Sequence, residues 1–413
     1  MIRIINGAYL DTGDMSLKYG DIAVDGDRIT AVGDIPDGEY ERTVNAAGNL
    51  IIPGFNNAHA HSPMTFLRGL AEDLPLDRWL NEVIFPAEAK LSQEGAELYT
   101  KISVLEYLSS GITSCFDMYP FLCADSYISM GFRAVFCTSY YAYWHDLGVM
   151  EEVYNRYNSY HPLISLKMGI HAEYTNTRED LENVSALVHK YKAPLWTHIS
   201  ETEKEVKDCK DRYGKTPAAL FEELGLWDFG GGGYHCVHFT EEDMDIFARR
   251  GLTAVTCPGS NLKCASGIAD LKRLKEKGVK LAVGTDGPAS NNALDMFREM
   301  YLAAVLQKIK YNDAAAFSAK DILKAAITGG ADAMELRSGR IAEGFLADLV
   351  MIDLSRPSMQ PINDVVTNLV YAGSKDVVKM TMVGGKILYE NGMFNINEDI
   401  DLIYYKANSL RFS

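Results

Sequence analysis

Residues 53–80 read PGFNNAHAHSPMTFLRGLAEDLPLDRWL. Two histidines, His59 and His61, stand one residue apart just after the apolar run Leu50-Ile51-Ile52. That spacing is the period of a β-strand, so both imidazoles face one side. Two rings aimed together at the end of a buried strand are either a metal clamp or a coincidence, and the rest of the chain is read to decide between them.

Around this stretch the pattern changes. Residues 1–53 read as short strands and tight turns, with alternating apolar residues about Asp25-Gly26 giving a hairpin signal. From Pro53 onward, β-branched apolar segments alternate with amphipathic ones. Strands are expected at Leu50–His61, Ile112–Tyr119, Arg133–Tyr140, Ile164–Ala172, Pro194–Ser200, Gly233–Phe239, Leu252–Pro258 and Lys280–Gly287. Helical patterns such as Glu88–Ser110, Arg178–Tyr191 and Glu241–Gly251 lie between them. Strand then helix, eight times, is the pattern of a parallel α/β barrel. A doubly wound sheet is the alternative, and no Gly-rich phosphate turn follows the early strands to support it. After residue 336 turns and edge strands return, as in SGRIAEGFLADLVMIDL and VVKMTMVGGKILYENG. The expected fold is therefore a (β/α)8 TIM barrel, residues 54–336, inserted between the halves of a small β-sandwich, residues 1–53 and 337–413.

Bulk composition fits this frame. The chain has 413 residues, 47% hydrophobic and 23% charged, enough for a large core. A formal net charge of -16 argues against a nucleic-acid or anionic-membrane surface. Seven cysteines without a CxxC pair fit a reducing cytoplasm better than a disulfide framework. The start MIRIINGAYLDTG lacks a basic region followed by an apolar one, so no signal peptide is expected. No apolar run of about 18 residues is present. The expected partner is a small molecule, with neither nucleic acid nor membrane, and self-association into a homo-oligomer stays open.

Active sites of such barrels lie at the C-terminal ends of the strands. Six of the nine histidines fall there: His59, His61, His171, His198, His235 and His238. A lone strand-end histidine is usually structural, and His238, along with His145, His161 and His189, takes that reading. His59 and His61 are joined by His198 after strand five and Asp286 after strand eight. Three imidazoles and one carboxylate suit one divalent cation, Zn²⁺ first and Fe²⁺ second. A coordination position is left for water, whose pKa a bound metal lowers to about 7. In HISETEKEV, Glu201 follows His198 by three residues, placed to move a proton between that water and a leaving group. Glu203 and Glu205 take the plainer reading of acidic residues at a helix start. His235 is placed to polarise the nucleophile or stabilise developing charge, and Asp286 to accept a proton as well as to bind metal.

With these residues placed, the chain resembles the amidohydrolase superfamily, in the aminohydrolase branch of S-adenosylhomocysteine/5′-methylthioadenosine deaminases and chlorotriazine hydrolases. The matching segments, in order, are PGFNNAHAHSPMTFLRGLAEDLPLDRWL, FPAEAKL, GIHAEYT, THISETEKEV, YHCVHFT, PGSNLKCASGIADL, VGTDGPASNN and SGRIAEGFLADLVMIDL. The resemblance implies a single metal on His59, His61, His198 and Asp286, with Glu201 as proton shuttle and His235 beside the attacked carbon. It further implies that Glu88 binds sugar hydroxyls, that His171 touches substrate and that Trp79 lines the pocket. Two positions depart from the pattern. The arginine usual at the end of strand three is replaced, with Thr138 nearest its place and Arg133 in the strand body, and Glu173 stands where a proline is usual. Tyr140, Tyr141, Tyr143 and Trp144 either stack on a flat ring or simply pack their loop.

These readings converge on a metal-dependent aminohydrolase, a hydrolase of C–N bonds in cyclic amidines. It would use a metal-activated water to remove an exocyclic amino group from an N-heterocycle, releasing ammonia. An adenine or thioether nucleoside is the first expectation, and another aminopurine or a pterin the second. The alternatives are hydrolysis of a cyclic amide or halogenated ring on the same scaffold, or a scaffold without catalysis. Cyclic-amide members of the superfamily carry two metals bridged by a modified lysine; Lys167, four residues before His171, is read as structural.

Overall fold

The computed structural model describes residues 1–70, 72–74, 78–119, 122–139 and 147–410. Eight parallel strands follow one another in chain order around a single sheet. They are β1 (Phe55–Ala60), β2 (Ile112–Met118), β3 (Arg133–Cys137), β4 (Ile164–Gly169), β5 (Leu195–Ile199), β6 (Gly231–His235), β7 (Thr253–Thr256) and β8 (Lys280–Val283). Every residue of β1, β2, β3, β5 and β7 is buried, as expected of parallel strands covered on both faces.

The ring closes between β8 and β1. The Asp286 N–H donates to the His59 carbonyl at 3.0 Å. The Asn57 side chain accepts from the Thr285 N–H at 2.9 Å and donates to its hydroxyl at 2.8 Å. Gly284 permits this approach, since a Cβ there would lie 2.7 Å from the His59 backbone nitrogen. Closure thus sets the first metal-clamp histidine directly against the segment that carries Asp286.

Five helices bear on the site: α1 (Gln93–Ser109), α2 (Glu203–Tyr213), α3 (Pro258–Lys263), α4 (Met296–Tyr311) and α5 (Ile400–Ser409). The helix expected from Glu88 begins later, because Ser92 caps it by accepting the Gly95 N–H at 3.1 Å. Glu88 instead ends a separate short helix, Phe85–Glu88, that continues the helical turns Trp79–Ile84.

Two further sheets flank the barrel. One orders strands Arg28–Gly33, Asp21–Asp25, Ile2–Ile5 and Arg42–Asn45. The other orders Met393–Phe394, Lys386–Glu390, Val378–Val383, Leu349–Asp353, Asn49–Pro53, Ala8–Asp11 and Ser16–Tyr19. N- and C-terminal segments share this second sheet, with Val350 opposite Ile52 and Ile352 opposite Leu50. Alternation divides its faces. Ile51, Leu349 and Met351 join Ile4, Ile22 and Ile29 between the sheets, while Leu50, Ile52, Val350 and Ile352 pack into the main barrel core.

A buried ion pair ties the layers together. The Arg133 guanidinium of β3 donates to Asp348 at 3.0 and 3.3 Å, and the Gly384 N–H donates to the same carboxylate at 2.7 Å. Arg133 therefore works at the N-terminal end of β3, away from the site. The chain does not end in the sandwich: α5 packs beside α1, and the Tyr99 hydroxyl contacts the carbonyls of Ala407 and Leu410 at 3.2 Å each. No helix among the described residues is long and apolar enough to cross a membrane.

The single strand expected over Leu50–His61 is broken in two. Asn49–Pro53 belongs to the sandwich sheet and Phe55–Ala60 to the barrel, with Gly54 between them. A Cβ at Gly54 would meet the Thr113 side chain at 2.2 Å. Gly54→Ala is expected to cost roughly 1–3 kcal/mol of stability through overpacking. Urea unfolding followed by circular dichroism measures it, and Thr113→Ala in the same chain should restore part of the loss.

Candidate active site

The expected ligands converge. His59 Nε2 lies 3.1 Å from His198 Nε2, and His61 Nε2 lies 3.2 Å from the same atom. Asp286 Oδ1 is 3.1 Å from His61 Nε2 and 3.4 Å from His59 Nε2. Four donors about 2.0–2.1 Å from one cation at tetrahedral angles stand roughly 3.3 Å apart. The observed spacings fit that geometry.

The hydrogen bonds behind the rings fix which nitrogens point inward. His61 Nδ1 meets the Met118 carbonyl, and His198 Nδ1 meets the His171 carbonyl at 2.7 Å. A carbonyl only accepts, so each Nδ1 carries a proton, and in the neutral ring Nε2 presents a lone pair. His59 stacks on Tyr234 with ring centroids 3.8 Å apart. Burial drives His59 and His171 down to about 3 and His198 well below the usual histidine range. Burial alone would raise Asp286, but the His59 and His61 imidazoles outweigh it and hold the carboxyl well below its usual range. For His61, burial works downward and Asp286 prevails, raising it. Three imidazoles in their neutral form, with an ionised carboxylate, would make the donor set of a divalent cation.

Asp286 is held from behind as well. Its Oδ2 accepts the hydroxyls of Ser260 at 2.5 Å and Ser290 at 2.8 Å, which leaves Oδ1 for the histidines. Glu299 of α4, fully buried, sits beneath both serine segments. It accepts the Gly259 N–H at 2.8 Å and the Asn291 side-chain amide at 2.9 Å. Burial pushes this carboxyl up to about 8.

Glu201 lies two residues past β5, with Oε2 3.8 Å from His235 Nε2, and burial raises its carboxyl above the usual range. The Ser266 hydroxyl donates to Oε1 at 3.3 Å. His235 Nδ1 is 2.8 Å from Asn261 Oδ1; this partner assigns its proton to Nδ1 and aims Nε2 at the cavity. Ser200, His235 and Asp286 all have positive φ, at 50°, 72° and 59°, so the backbone is strained where these side chains turn inward.

Glu205 corrects the sequence expectation. It does more than favour a helix start: it is buried, and its two oxygens accept the N–H groups of Ser200 at 2.7 Å and Glu201 at 2.8 Å. It clamps the loop that carries Glu201. Glu203 keeps the helix-start role, following the Thr202 cap. The spacing of Glu205, four residues after Glu201 in the first turn of α2, was the signal for this contact. Asn261, Ser260 and Ser290 were also missed, although Ser260 and Asn261 follow β7 in PGSN and Ser290 follows Asp286 by four.

One cavity gathers the site. It encloses about 720 Å³, mouth included, and His61, His171, His198, Glu201, His235 and Asp286 line it with Glu88, Trp79, Tyr174 and Ser139. Trp79, Glu88 and His171 thus all reach the same space. Thr138 does not line it: its hydroxyl donates to the Gly169 carbonyl at 2.9 Å and accepts the Gly169 N–H at 2.7 Å, stitching β3 to β4. Ser139 is the strand-three residue that lines the pocket. Glu173 is buried and pairs with Arg212 of α2 at 2.6 Å. His238 holds the Ser266 carbonyl at 2.7 Å, and Lys167 pairs with Glu335. Tyr140, Tyr141, Tyr143, Trp144 and His145 lie outside the described residues.

A family model described as the amidohydrolase family matches residues 50–388. A 5-methylthioadenosine/S-adenosylhomocysteine deaminase of Thermococcus kodakarensis is 36% identical over 401 residues, 94% of this chain and 93% of that protein. A 5′-deoxyadenosine deaminase of Methanothermobacter thermautotrophicus is 34% identical over 412 residues, covering 96% and 95%. The crystal structure of an adenosine deaminase from Xanthomonas campestris with bound zinc superposes with a TM-score of 0.92 at 34% identity, covering 99% of this chain and 97% of that one.

Two outcomes are expected from this geometry. His198→Ala and Asp286→Ala should each bring bound metal, measured by plasma mass spectrometry, from near one ion per chain to a small fraction, while Glu201→Gln keeps it. Glu205→Gln should retain metal and lower kcat about 10- to 100-fold with little change in KM, because one backbone N–H loses its carboxylate partner and Glu201 drifts.

Proposed function

The chain belongs to the amidohydrolase family, and from that premise we propose that it is a metal-dependent aminohydrolase that deaminates adenine nucleosides, releasing ammonia. The convergence of His59, His61, His198 and Asp286, with His59 and His61 each 3.1–3.4 Å from both His198 and Asp286, and with Glu201 and His235 lining the same cavity, carries this reading. The relatives named as deaminases match over nearly their whole length, which supports the substrate class. Zinc is the proposed ion, since the donor set of three imidazoles and a carboxylate suits it and the similar adenosine deaminase structure holds it.

A divalent cation on His59, His61, His198 and Asp286 supplies a water of lowered pKa and Lewis acidity at the attacked carbon. Glu201 takes a proton from the attacking water and delivers it to the ring nitrogen next to the amino-bearing carbon. His235, its Nδ1–H engaged by Asn261, offers the Nε2 lone pair to polarise the nucleophile beside Glu201. Asp286, besides being a proposed ligand, accepts the second proton of the attacking water and returns it to the amino group, which leaves as ammonia. Glu88 is proposed to hold the sugar hydroxyls, His171 to contact the base and Trp79 to cover it, all three lining the cavity. We assign catalysis to residues 54–336 and support to 1–53 and 337–413. Seven cysteines without disulfides fit a cytoplasmic enzyme.

The test is ammonia release from a panel of aminopurine nucleosides and pterins by metal-replete protein. Turnover of adenine nucleosides is expected, and Glu201→Gln should lose at least 1000-fold in kcat with metal retained. Glu201 accepts a proton only when ionised, and burial raises its pKa, so kcat/KM should rise with pH through a value above the ordinary 4.5. Silence across the panel from metal-replete protein would overturn the reading.

A further inference from the structure

The cavity around the site is charged in one sense only. Among the described residues that line it, the ionised or ionisable acids are Glu88, Glu201 and Asp286, and none is Lys or Arg. The residues outside the description, 71, 75–77, 120, 121, 140–146 and 411–413, include a single arginine, Arg411, and no lysine. The rest of the wall is largely apolar, with Met64, Leu80, Ile84, Phe85 and Met118 beside Trp79.

The cations nearest the mouth are already engaged. Lys263 meets Glu72 at 2.6 Å and also holds the Asn292 side chain at 2.5 Å and the Ala289 carbonyl at 3.0 Å. Arg212 is taken by the buried Glu173, and Arg78 by Glu82 at 2.7 Å. The charge of a bound cation would sit at the reacting end, gripped by Asp286. An anionic group held against this lining would meet carboxylates and no Lys or Arg among the described residues. A methyl, a thioether or a bare deoxy carbon would instead be solvated by methionine, leucine and aromatic side chains.

We infer that the pocket selects nucleosides whose 5′ substituent is neutral and small or apolar, and rejects those whose tail carries a carboxylate or phosphate. The inference rests on the reading that the cavity takes an adenine nucleoside. It narrows that reading: of the two substrates in the name of the Thermococcus relative, this chain takes the methylthio nucleoside and discriminates against the homocysteine one. Ser139, buried just past the end of β3, adds a neutral hydroxyl to the lining.

The experiment is equilibrium binding to zinc-loaded Glu201→Gln protein, which holds nucleosides without turning them over. Its lost carboxylate can only favour anions, so the comparison is weighted against the inference. The probes are 5′-methylthioadenosine, S-adenosylhomocysteine and adenosine 5′-monophosphate. The methylthio nucleoside is expected to bind at least thirtyfold more tightly than either of the others, and a smaller margin for either overturns the inference. If the margin fails while the wild-type protein releases ammonia from all three, the aminohydrolase reading stands and the selectivity does not. If none of the three binds, the substrate reading itself falls and takes this inference with it.

Discussion

Three imidazole lone pairs and a carboxylate oxygen, all buried, share a space a few ångströms across. Burial opposes charge on every member, and the contacts between the Asp286 carboxylate and the His59 and His61 rings offset part of that cost. The protein holds it together by three means. The ring closure from β8 to β1 fixes His59 against the Asp286 segment. Backbone carbonyls at Met118 and His171 set the tautomers of His61 and His198. Two serine hydroxyls hold the far oxygen of Asp286. A divalent cation, as proposed, would be held by the same atoms.

Around this centre lies a supporting layer of buried acids that never touch it. Glu205 fastens the Glu201 loop through two backbone N–H groups, and Glu299 fastens the segments bearing Ser260 and Ser290. Both are raised by burial, to about 7 and about 8. Between the ordinary carboxyl range and those values the folded chain holds protons that the unfolded chain has released. These two groups therefore favour the fold less as pH climbs through that window. Placement of Glu201 and Asp286 is bought with this stability.

Much of this was legible in the sequence. The eight-fold alternation gave the barrel, because parallel strands covered on both faces must be apolar throughout. The strand-end address of His59, His61, His198 and Asp286 picked out four side chains that the structure brings together, because the barrel puts all strand ends on one rim. Three things escaped. Gly54 splits the first expected strand, and the reason is the Thr113 side chain, a contact between segments far apart in sequence. Thr138 was matched to the missing arginine, but its hydroxyl is spent on Gly169, and the pocket position falls to Ser139. Glu205 was read from its helix position alone, whereas its partners lie in the loop before the helix. Each miss turns on where a side chain points, which period and spacing do not encode.

The Arg133–Asp348 pair has a consequence for how the molecule is made. Its acid belongs to the stretch that enters the last third of the sandwich, and the Gly384 N–H that completes it is emitted by the ribosome later still. Until then β3 carries a guanidinium with no counterion, and the strand Asn49–Pro53 waits for its partner at Leu349–Asp353. Neither that pair nor that strand pairing can form before residues well past the eighth strand have been made, so the barrel docks onto the sandwich only after its own ring of strands is complete in sequence.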